Sequence, residues 1–574
     1  MDNPVVEPLH LRLVEMGIPD GPDDYDPDPA PAAGPEGIVA LGHDKGVFYY
    51  LSRSARQVYA LSADRHSRNS LMAMASVPHY WQRSQFIGAK GGIDWEAATD
   101  DLMRKCRDVG IFDTDRLRGR GAWMDEGRSI LHIGDRLLVD GEDRDLALEG
   151  SRFVYEAARS LADAVADPLP TSIAHKLVEI CKSLRWERPI SGVLLAGFIA
   201  TAAVCGGLKW RSSIWLTGGA GSGKSWAYER IIAAAIGRMA LQVGSKTSEA
   251  GIRQTLGSDA RPVLFDEAEK EDHHAAARMQ GVMDLVRQSS SEGGAEIIKG
   301  TQNQAGSKRY RIRSQFAFVS INVGLEHHAD ETRITVLSLR EPERGAEQAE
   351  AFAELDALVA DTITPEFAAG LVARSVRLLP IIRANAETFA RAISDHLGNR
   401  RIGDQLGTLL AGAYSLHSER EITPEQAAQY IQREDLTSGG VADARESDQA
   451  KLLTRLTQHR LRVTPGNGAA YECTVGRLIL AAGARDEQIS PDIADRELRQ
   501  IGIRANIDGA YVSNSHPALA LLLAGTPWVS DWARSLARLP GAVKRDKAMR
   551  FGPGHVAKAV WVSIITIDPS EEEI

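Results

Sequence analysis

The chain is poor in cysteine and has no segment typical of exported proteins. Four cysteines are spread over 574 residues, and no Cys-x-x-Cys pair occurs. This spacing favours neither a zinc site nor a disulfide framework. The N-terminus has no basic stretch followed by an apolar core, so no secretory signal is evident. We therefore expect a protein of the reducing cytoplasm.

Long apolar runs are also scarce, with one exception. Residues 191–208 carry no charged side chain and approach the length of a membrane span. The run includes four glycines and leads into Lys209-Trp210-Arg211. A transmembrane helix fits the hydropathy, but we favour a helix buried against the core of a globular domain and expect no membrane partner.

A net positive charge is absent as well. The formal charge is −10 at pH 7. Nucleic-acid binding needs only a local basic groove, so the net charge does not decide for or against it. The length of 574 residues exceeds the roughly 250 to 300 residues at which a single core stops growing, which predicts several domains.

A glycine-rich motif follows the apolar stretch 214–216. It matches the pattern G-x-x-x-x-G-K-[ST] through Gly218, Gly219, Ala220, Gly221, Ser222, Gly223, Lys224 and Ser225. In this pattern the glycines let successive backbone N–H groups face the β-phosphate. The lysine reaches the β- and γ-phosphates, and the hydroxyl takes one position on Mg²⁺. The motif predicts ATP and Mg²⁺ as cofactors.

Two carboxylates follow the apolar stretch 262–265 further along the chain. Asp266 is placed to hold Mg²⁺ through its water shell, and Glu267 to polarise the attacking water. A strand that ends in solvated acids is the simpler alternative. Because the pair lies downstream of the glycine-rich motif in a suitable order, we favour ATP hydrolysis.

Two further residues are candidates for the same chemistry. The apolar stretch 316–321 ends at Asn322, whose side chain can orient the lytic water, although Asn after a strand is often a turn former. Arg333 can project across a subunit interface and neutralise charge on a neighbour's ATP. A surface salt bridge with Asp330 or Glu331 is the alternative for Arg333.

Residues 296–313 form a basic insertion between the stretches that end in Asp266 and Asn322. Two β-compatible arms flank a polar tip, which predicts a hairpin. Its only acidic residue is Glu296, and its basic residues are Lys299, Lys308, Arg309, Arg311 and Arg313. A basic hairpin can track a phosphate backbone without reading sequence. A solvated basic loop is the alternative.

This order of motifs resembles the core of superfamily-3 helicases, in particular the poxvirus-type primase-helicases and their relatives in phages, plasmids and integrated elements. The resemblance covers 191–340, and residues 121–141 look like the domain that precedes the ATPase in related mobile-element proteins. It implies a ring, usually hexameric, that pumps single-stranded DNA, commonly 3′ to 5′. On this resemblance Lys299, Lys308 and Arg309 match the place of the DNA-contacting hairpin.

Composition shifts divide the chain into seven predicted segments. They are a helix with an acidic Pro-rich linker (1–36), a small α+β domain (37–150), a helical collar (151–211), a P-loop AAA+-like ATPase core (212–340), a helical domain (341–440), a winged-helix-like DNA-binding region (441–568) and an acidic tail (569–574). The predicted fold class is therefore multidomain α/β.

The sequence patterns also predict individual elements within these segments. The small α+β domain is expected to hold strands at 47–51 and 57–61, helices at 64–76 and 94–109 and a hairpin around Asp125-Glu126-Gly127. In the helical segments, Thr171 is a candidate cap, Thr423-Pro424-Glu425-Gln426 a helix start and Gly439-Gly440 a hinge. The C-terminal region is expected to hold helices at 447–460, 474–483 and 491–501 and a hairpin from Arg504 to Val512.

Two weaker patterns concern DNA chemistry and DNA contact. Asp113 and Asp115 form an Asp-x-Asp that could chelate two metals as in a primase, but we favour a helix end and a turn cap for them. Residues 531–560 combine seven basic side chains with two acidic ones and interleaved aromatics. This composition favours duplex or origin binding narrowly over a solvated face.

The leading hypothesis is an ATP-driven replicative helicase of a phage or mobile element. It would act on single-stranded and forked DNA as a homo-hexamer, with a primase or host replication proteins as candidate further partners. One alternative is an AAA+ replication initiator or remodeller that binds DNA without unwinding it. Another is a nucleotide-gated defence or regulatory ATPase whose N-terminal domain binds a protein.

Overall fold

The structure is a computed structural model. It describes residues 37–75, 78–82, 86–161, 165–266, 273–293, 297–300, 307–321, 323, 325, 330, 332–341, 345–434, 436, 448–464, 470–486, 488–526 and 528–567. The chain forms two compact units, with the boundary after Leu436. Both are mixed α/β, so the predicted fold class of a multidomain α/β protein is confirmed. The predicted linker 1–36 and tail 569–574 lie outside the described residues.

The first unit begins with a small three-stranded antiparallel sheet packed on helices. The elements are β1 (Ile38–Asp44), β2 (Val47–Ser52), β3 (Gln57–Ser62), α1 (Arg68–Met74), α2 (Pro78–Trp81) and α3 (Trp95–Val109). Helix α3 starts where Asp94 accepts a hydrogen bond from the backbone N–H of Ala97, at 3.0 Å. The predicted strands and both helices of this region are confirmed.

A second small sheet of four strands follows, together with a separate two-stranded ribbon. The strands of the two are β4 (Leu117–Arg118), β5 (Gly121–Asp125), β6 (Arg128–His132), β7 (Leu137–Val139), β8 (Glu142–Arg144) and β9 (Val154–Tyr155). Strands β5 to β8 form the second small sheet as an antiparallel meander, and β4 pairs with β9 in parallel as the β4–β9 ribbon. The predicted β5–β6 hairpin is confirmed, with Glu126 and Gly127 both at positive φ in its two-residue turn.

The helical prediction for the start of the collar is wrong. Residues 151–161 contain β9 and pack against the second sheet, because Tyr155 is buried in one core with Trp123. Helices begin at α4 (Thr171–Ala174), followed by α5 (Lys176–Ser183) and α6 (Ile190–Ala202). Thr171, predicted as a cap, is instead the first residue of α4 and follows Pro170.

The apolar run forms helix α6, and all of its residues are buried. This outcome confirms the buried-helix interpretation. None of the helices that the structure describes is both long and apolar enough to cross a membrane.

The centre of the first unit is a five-stranded parallel sheet. The strands of this region are β10 (Ser213–Gly218), β11 (Leu241–Val243), β12 (Val263–Phe265), β13 (Ile297–Gly300), β14 (Ser307–Tyr310), β15 (Phe316–Val319) and β16 (Ile334–Leu339). The order in the sheet is β11-β12-β15-β10-β16, and every neighbouring pair is parallel. Strands β13 and β14 form a separate antiparallel hairpin.

Helices cover this sheet because its strands are apolar on both faces. They are α7 (Lys224–Ala227), which continues through a π-helical turn (Tyr228–Ala233) into α8 (Ala234–Ile236), then α9 (Glu249–Leu256) and α10 (His273–Ser289). In the core, Trp215 stacks on Phe318 with ring centroids 5.0 Å apart.

Five helices complete the first unit. They are α11 (Ala346–Thr362), α12 (Pro365–Arg377), α13 (Leu379–Leu397), α14 (Arg400–Ser415) and α15 (Pro424–Arg433). The predicted start of α15 is confirmed, because Thr423 and Gln426 form a reciprocal capping box and Pro424 occupies the first turn. The predicted hinge Gly439-Gly440 lies outside the described residues.

The second unit combines short helices with antiparallel strands. They are α16 (Asp448–Thr457), β17 (Arg460–Val463), β18 (Tyr471–Thr474), α17 (Val475–Ala482), α18 (Pro491–Gln500), β19 (Ile503–Asn506), β20 (Gly509–Ser513), α19 (Pro517–Leu522), α20 (Trp532–Leu536), β21 (Val543–Gly552), β22 (His555–Ser563) and α21 (Ile564–Ile567). The predicted helices and the β19–β20 hairpin are confirmed. The basic stretch 531–560 contributes the longest hairpin, β21–β22.

Candidate functional site

The candidate nucleotide site lies at the carboxyl edge of the parallel sheet. Because all five strands run in the same direction, their C-terminal ends meet at this edge, where open α/β sheets bind ligands. Gly218 ends β10, and Asp266 directly follows β12. The register pairs Leu216 of β10 with Val319 of β15. The topology therefore brings the predicted loop and the predicted carboxylate to one edge.

The loop requires glycine at several positions. Gly221 and Gly223 have φ values of 77° and 88°, in the left-handed region that side chains disfavour. At Gly218 a Cβ atom would lie 2.7 Å from the carbonyl oxygen of Leu339 in the neighbouring strand. The chain then enters α7, whose N-terminal N–H groups suit an anion. The backbone thus fits a phosphate cradle.

Lys224 folds back over this loop. Its Nζ donates hydrogen bonds to the carbonyl oxygens of Gly218 and Gly219, at 2.8 and 2.7 Å, and lies 3.4 Å from Ser222 Oγ. The residue is only 9% exposed. An ammonium group held at this place can bind phosphate oxygens that lie in the cradle.

Asp266 faces the helix that follows the loop. Its backbone N–H donates to the carbonyl oxygen of Val243, at 3.1 Å. Burial, and after it the negative charge of Asp266, raises the pKa of Tyr228 to about 12. The Asp266 carboxylate is therefore close enough to act on Tyr228, which lies one turn beyond the predicted Mg²⁺ ligand Ser225.

This arrangement fits a magnesium ion shared with a nucleotide. Ser225 is exposed at the start of α7, and Asp266 supplies the hard oxygen ligand that Mg²⁺ prefers. The described part of the chain holds no group of three His, Cys, Asp or Glu side chains that could bind a metal. An ion at Ser225 and Asp266 would take its other ligands from water and phosphate oxygens.

Two predicted catalytic residues fall outside the described residues. Glu267 follows Asp266, and Asn322 follows Ile321. The residues that precede them, Asp266 and Ile321, are described. They follow β12 and β15, and β15 lies between β10 and β12 in the sheet. The chain that leads to Asn322 therefore leaves the edge between the loop and the Asp266 strand.

Sequence reasoning missed two residues at this edge. Thr217 Oγ1 donates a hydrogen bond to the carbonyl oxygen of Ile321, at 2.7 Å, and so ties the strand before the loop to the residue before Asn322. Glu341, just past β16, packs against the loop, since a Cβ on Gly219 would lie 2.5 Å from its Oε1. Neither residue belongs to a motif, and only the strand order brings them to the loop.

Arg333 lies at the opposite edge of the sheet. It precedes β16, and its carbonyl oxygen accepts a hydrogen bond from Ser213 N, at the start of β10. Because β16 has 6 residues, Arg333 is roughly 20 Å from the carboxyl edge. Burial, followed by the charges of Arg401 and Arg287, lowers the pKa of Arg333. The structure therefore separates this arginine from the loop of its own chain.

The predicted basic hairpin is confirmed as an element. Strand β13 pairs with β14 so that Lys299 is in register with Lys308, and Ile298 with Arg309. The tip, residues 301–306, lies outside the described residues. The hairpin is inserted between the Asp266 strand and β15.

Two of the five basic residues assigned to the hairpin follow β14 and form ion pairs with another part of the first unit. Arg311 and Arg313 form ion pairs with the two carboxylate oxygens of Asp115, at 2.6 and 2.8 Å. The side chain of Asp113 accepts a hydrogen bond from the N–H of Asp115 and caps a short helical turn. This confirms the cap interpretation for Asp113. Asp115 instead binds the two arginines, and neither residue ends a helix, since α3 ends at Val109.

Comparison with protein-family models and with curated proteins finds no match. Among solved structures, the chain is similar to one described as an active helicase, Cch of SCCmec type IV, at 12% identity and a TM-score of 0.45, over 92% of this chain and 94% of that chain. It is also similar to the apo A form of the NrS-1 C-terminal region, at 12% identity and a TM-score of 0.26, over 70% of this chain and 92% of that chain. At these scores the likeness does not establish a shared fold.

Proposed function

We propose that this protein is an ATP-dependent DNA helicase that translocates on single-stranded DNA. One observation carries the proposal. The loop Gly218 to Ser225 and Asp266 meet at the carboxyl edge of a parallel sheet, with a strand between them that is preceded in the chain by a basic hairpin. In this proposal the strand links a nucleotide site to an element that tracks phosphates.

The residues of the loop have separate tasks in this proposal. The loop amides and Lys224 bind the β- and γ-phosphates, while Ser225 and Asp266 hold the metal. Bound Mg²⁺ neutralises developing charge on the phosphates. Glu267 polarises the attacking water and Asn322 orients it, each at the end of a neighbouring strand.

Hydrolysis and DNA movement are coupled through β15 in this proposal. The hairpin ends at Tyr310, β15 starts at Phe316, and Asn322 follows the strand. If Lys299, Lys308 and Arg309 move together with bound DNA, they would therefore displace β15, the β-strand that leads to Asn322 and the γ-phosphate. The hydrogen bond from Thr217 to Ile321 keeps that strand end in place relative to the loop.

A ring assembly is part of the proposal, and a homo-hexamer is its simplest form. Arg333 lies far from the loop of its own chain, so a catalytic role requires a neighbouring subunit. A replicative role at forked DNA in a phage or mobile element, together with a primase or host replication proteins, belongs to the same proposal.

A replication initiator is the second candidate, and the C-terminal unit favours it. Strands β21 and β22 form a long hairpin whose first strand is mostly exposed and carries Lys544, Arg545, Lys547 and Arg550. The guanidinium of Arg545 also lies 5.4 Å from the centre of the Tyr511 ring. A basic wing of this kind beside short helices suits duplex DNA in a winged-helix-like manner.

Strand displacement distinguishes the two candidates. The full-length protein is incubated with 3′- and 5′-tailed forks, with and without ATP and Mg²⁺. A helicase releases the labelled strand from one polarity of fork, whereas an initiator binds the fork and leaves it paired. Lys224→Ala should abolish release but keep DNA binding, and the exposed Lys90→Ala serves as control. ATP-independent release would contradict the proposal.

A further inference from the structure

An arginine-rich cleft lies in the first unit, away from the nucleotide loop. Its volume is about 380 Å³, and it is formed by the second small sheet with the β4–β9 ribbon, the turn after α6, the segment after α10, helix α13 and the segment between β14 and β15. Its acidic lining residues are Asp113, Asp115 and Glu292. Its basic ones are Arg116, Arg118, Arg152, Arg311, Arg313 and Arg383. We call it the arginine cleft.

Among the described residues, more arginines than carboxylates line the arginine cleft. Asp115 already binds both Arg311 and Arg313. No carboxylate of the described residues forms an ion pair with Arg118, whose Nη1 donates only to the backbone carbonyls of Asp115 and Leu117. Two guanidinium groups therefore share the Asp115 carboxylate, and the Arg118 guanidinium lies beside Asp115 without an ion pair among the described residues, in a buried place where charge is costly.

Aromatic rings hold these guanidinium groups in position. The Arg118 guanidinium lies 3.8 Å from the centre of the Phe153 ring and 4.7 Å from that of Trp123. Arg152 lies over Phe153 at 4.9 Å, and Arg313 over Trp123 at 5.7 Å. Stacked guanidinium groups lose little freedom on binding, so the cleft is organised before a ligand arrives.

Arg118 also has a donor without a partner. The residue is 6% exposed, and its Nε has no hydrogen-bond acceptor among the described residues. Burial, followed by the charge of Arg313, lowers the pKa of Arg118 to about 9. Both observations describe a buried cation that would be stabilised by an anion with several oxygen acceptors.

We propose that the arginine cleft binds a phosphate group, and that a nucleic-acid backbone supplies it. The cleft is continuous with the hairpin, because Arg311 directly follows Tyr310 at the end of β14. A strand tracked by the hairpin would pass the cleft at the amino edge of the sheet, opposite the nucleotide loop. The choice of a strand rests on the proposed function, whereas phosphate binding does not.

The experiment measures DNA binding without nucleotide in full-length Lys224→Ala protein, so that the nucleotide loop and hydrolysis play no part. Fluorescent oligothymidylate is titrated by anisotropy at several salt concentrations. Arg118→Gln and the exposed Arg152→Gln should each weaken binding roughly tenfold and reduce the salt slope by about 1. Arg118→Lys should keep the salt slope but not the full affinity, because it keeps the charge and loses the planar fork.

The matched control is Arg104→Gln, an exposed arginine on α3 that pairs with Asp101 and Asp108, and its binding should equal that of the parent. Parental affinity and slope in both Arg118→Gln and Arg152→Gln would overturn the proposal. If Arg118→Gln does not fold, the surface variant Arg152→Gln decides alone.

Thermal melting with inorganic phosphate or a nucleoside monophosphate separates the two sources of phosphate. Each should raise the melting temperature of the Lys224→Ala protein, and less so after Arg152→Gln, since a ligand stabilises the state that binds it. Suppose that these small ligands stabilise the protein less after Arg152→Gln, but that the affinity for oligothymidylate is the same in the parent and in the variants. The cleft then binds free phosphate, and its assignment to a nucleic-acid strand is wrong. If instead the wild-type protein does not unwind forks although its cleft binds phosphate, the proposed function is wrong and phosphate binding by the cleft stands.

Discussion

At the scale of single residues, side chains that bond to neighbouring backbone shape the carboxyl edge of the parallel sheet, the candidate nucleotide site. Lys224 bonds to two loop carbonyls, and Thr217 bonds to the carbonyl of Ile321. The lysine is recognisable from its motif. The threonine is not, because its role comes from a strand that lies 104 positions further along the chain.

Thr217→Val should slow ATP hydrolysis without weakening ATP binding. The substitution keeps the shape of the side chain and removes the donor to Ile321, so the residue that leads to Asn322 loses its tether. We expect kcat to fall about tenfold, equivalent to about 1.4 kcal/mol, with little change in KM. Steady-state phosphate release measures both.

Thr217→Ser provides the control, since it retains the hydroxyl and should recover most of kcat. A rise in KM at constant kcat would show that Thr217 acts on nucleotide binding instead. Equal kcat in Thr217→Val and the wild type would remove the positioning role altogether.

We expect the stability of the first unit to depend on pH through His132, a buried residue of β6 in the second small sheet. The ring is buried, Nδ1 accepts from the N–H of Gly134 at 2.9 Å, and Nε2 donates to the carbonyl of Glu156 at 2.8 Å. Burial lowers its pKa from 6.5 to about 4. The folded protein therefore keeps His132 neutral where the unfolded chain is already protonated.

The free energy of unfolding should fall as the pH drops from about 6.5 to about 4, by up to about 3 kcal/mol for this group. Above pH 6.5 the contribution of His132 is constant. Urea unfolding across this range, followed by Trp fluorescence, measures the slope. His132→Gln should flatten it, and an unchanged slope in that variant would assign the pH dependence to other groups.

At the scale of elements, close packing of helix backbones determines how α6 meets α14. A Cβ on Gly197 would lie 1.8 Å from the carbonyl oxygen of Leu409, and one on Gly412 would lie 2.3 Å from that of Gly197. Such distances are shorter than any real contact, so the two helices can cross here only without side chains.

Gly197→Ala should destabilise the first unit by about 3 kcal/mol, at the upper end of ordinary overpacking, because backbone atoms cannot rotate away. Calorimetric or denaturant unfolding measures the change. Gly92→Ala is the control, since a Cβ there meets nothing within 4 Å. Equal stability of the two variants would mean that α6 and α14 can separate at little cost.

Sequence patterns predicted most elements and failed where pairing partners are distant. Helices α3 and α15 carry their own caps, and the β5–β6 turn carries its own Glu126-Gly127 pair, so local residues sufficed. Strand β9 was assigned to a helical region, because its two residues become a strand only by pairing with β4. Short strands of this kind have no periodicity of their own.

At the scale of the whole molecule, the second small sheet and the parallel-sheet core are joined by a largely buried ion pair. Arg120 Nη2 lies 2.6 Å from Asp259 Oδ2, and its backbone N–H donates to the other carboxylate oxygen at 2.6 Å. Gly121 approaches Ala260 too closely for any Cβ, at 2.3 Å from its carbonyl oxygen. These contacts fix the second sheet against the strand that leads to Asp266.

Subunit mixing tests whether hydrolysis takes place between subunits. Lys224→Ala lacks the loop lysine, and Arg333→Ala lacks the candidate finger, so each alone should hydrolyse ATP at least about 100-fold more slowly. In a ring that shares sites, mixing the two should restore part of the activity, because some interfaces combine an intact loop with an intact Arg333.

Mass photometry with and without nucleotide accompanies the mixing experiment. Two copies of the same variant mixed together provide the control and should stay inactive. A monomer under every condition, or no recovery in an oligomer with demonstrated subunit exchange, would remove the role proposed for Arg333.

The order of motifs along the chain was sufficient to predict a phosphate-binding loop, a carboxylate strand and a basic hairpin, because local residue chemistry defines each of them. The spatial relations among them required the fold. Strand order placed Thr217 and Glu341 at the loop and Arg333 at the far edge. Packing of the small sheet on the core paired Arg311 and Arg313 with Asp115 and formed the arginine cleft. Parallel pairing joins residues a hundred positions apart, and no local pattern carries that information.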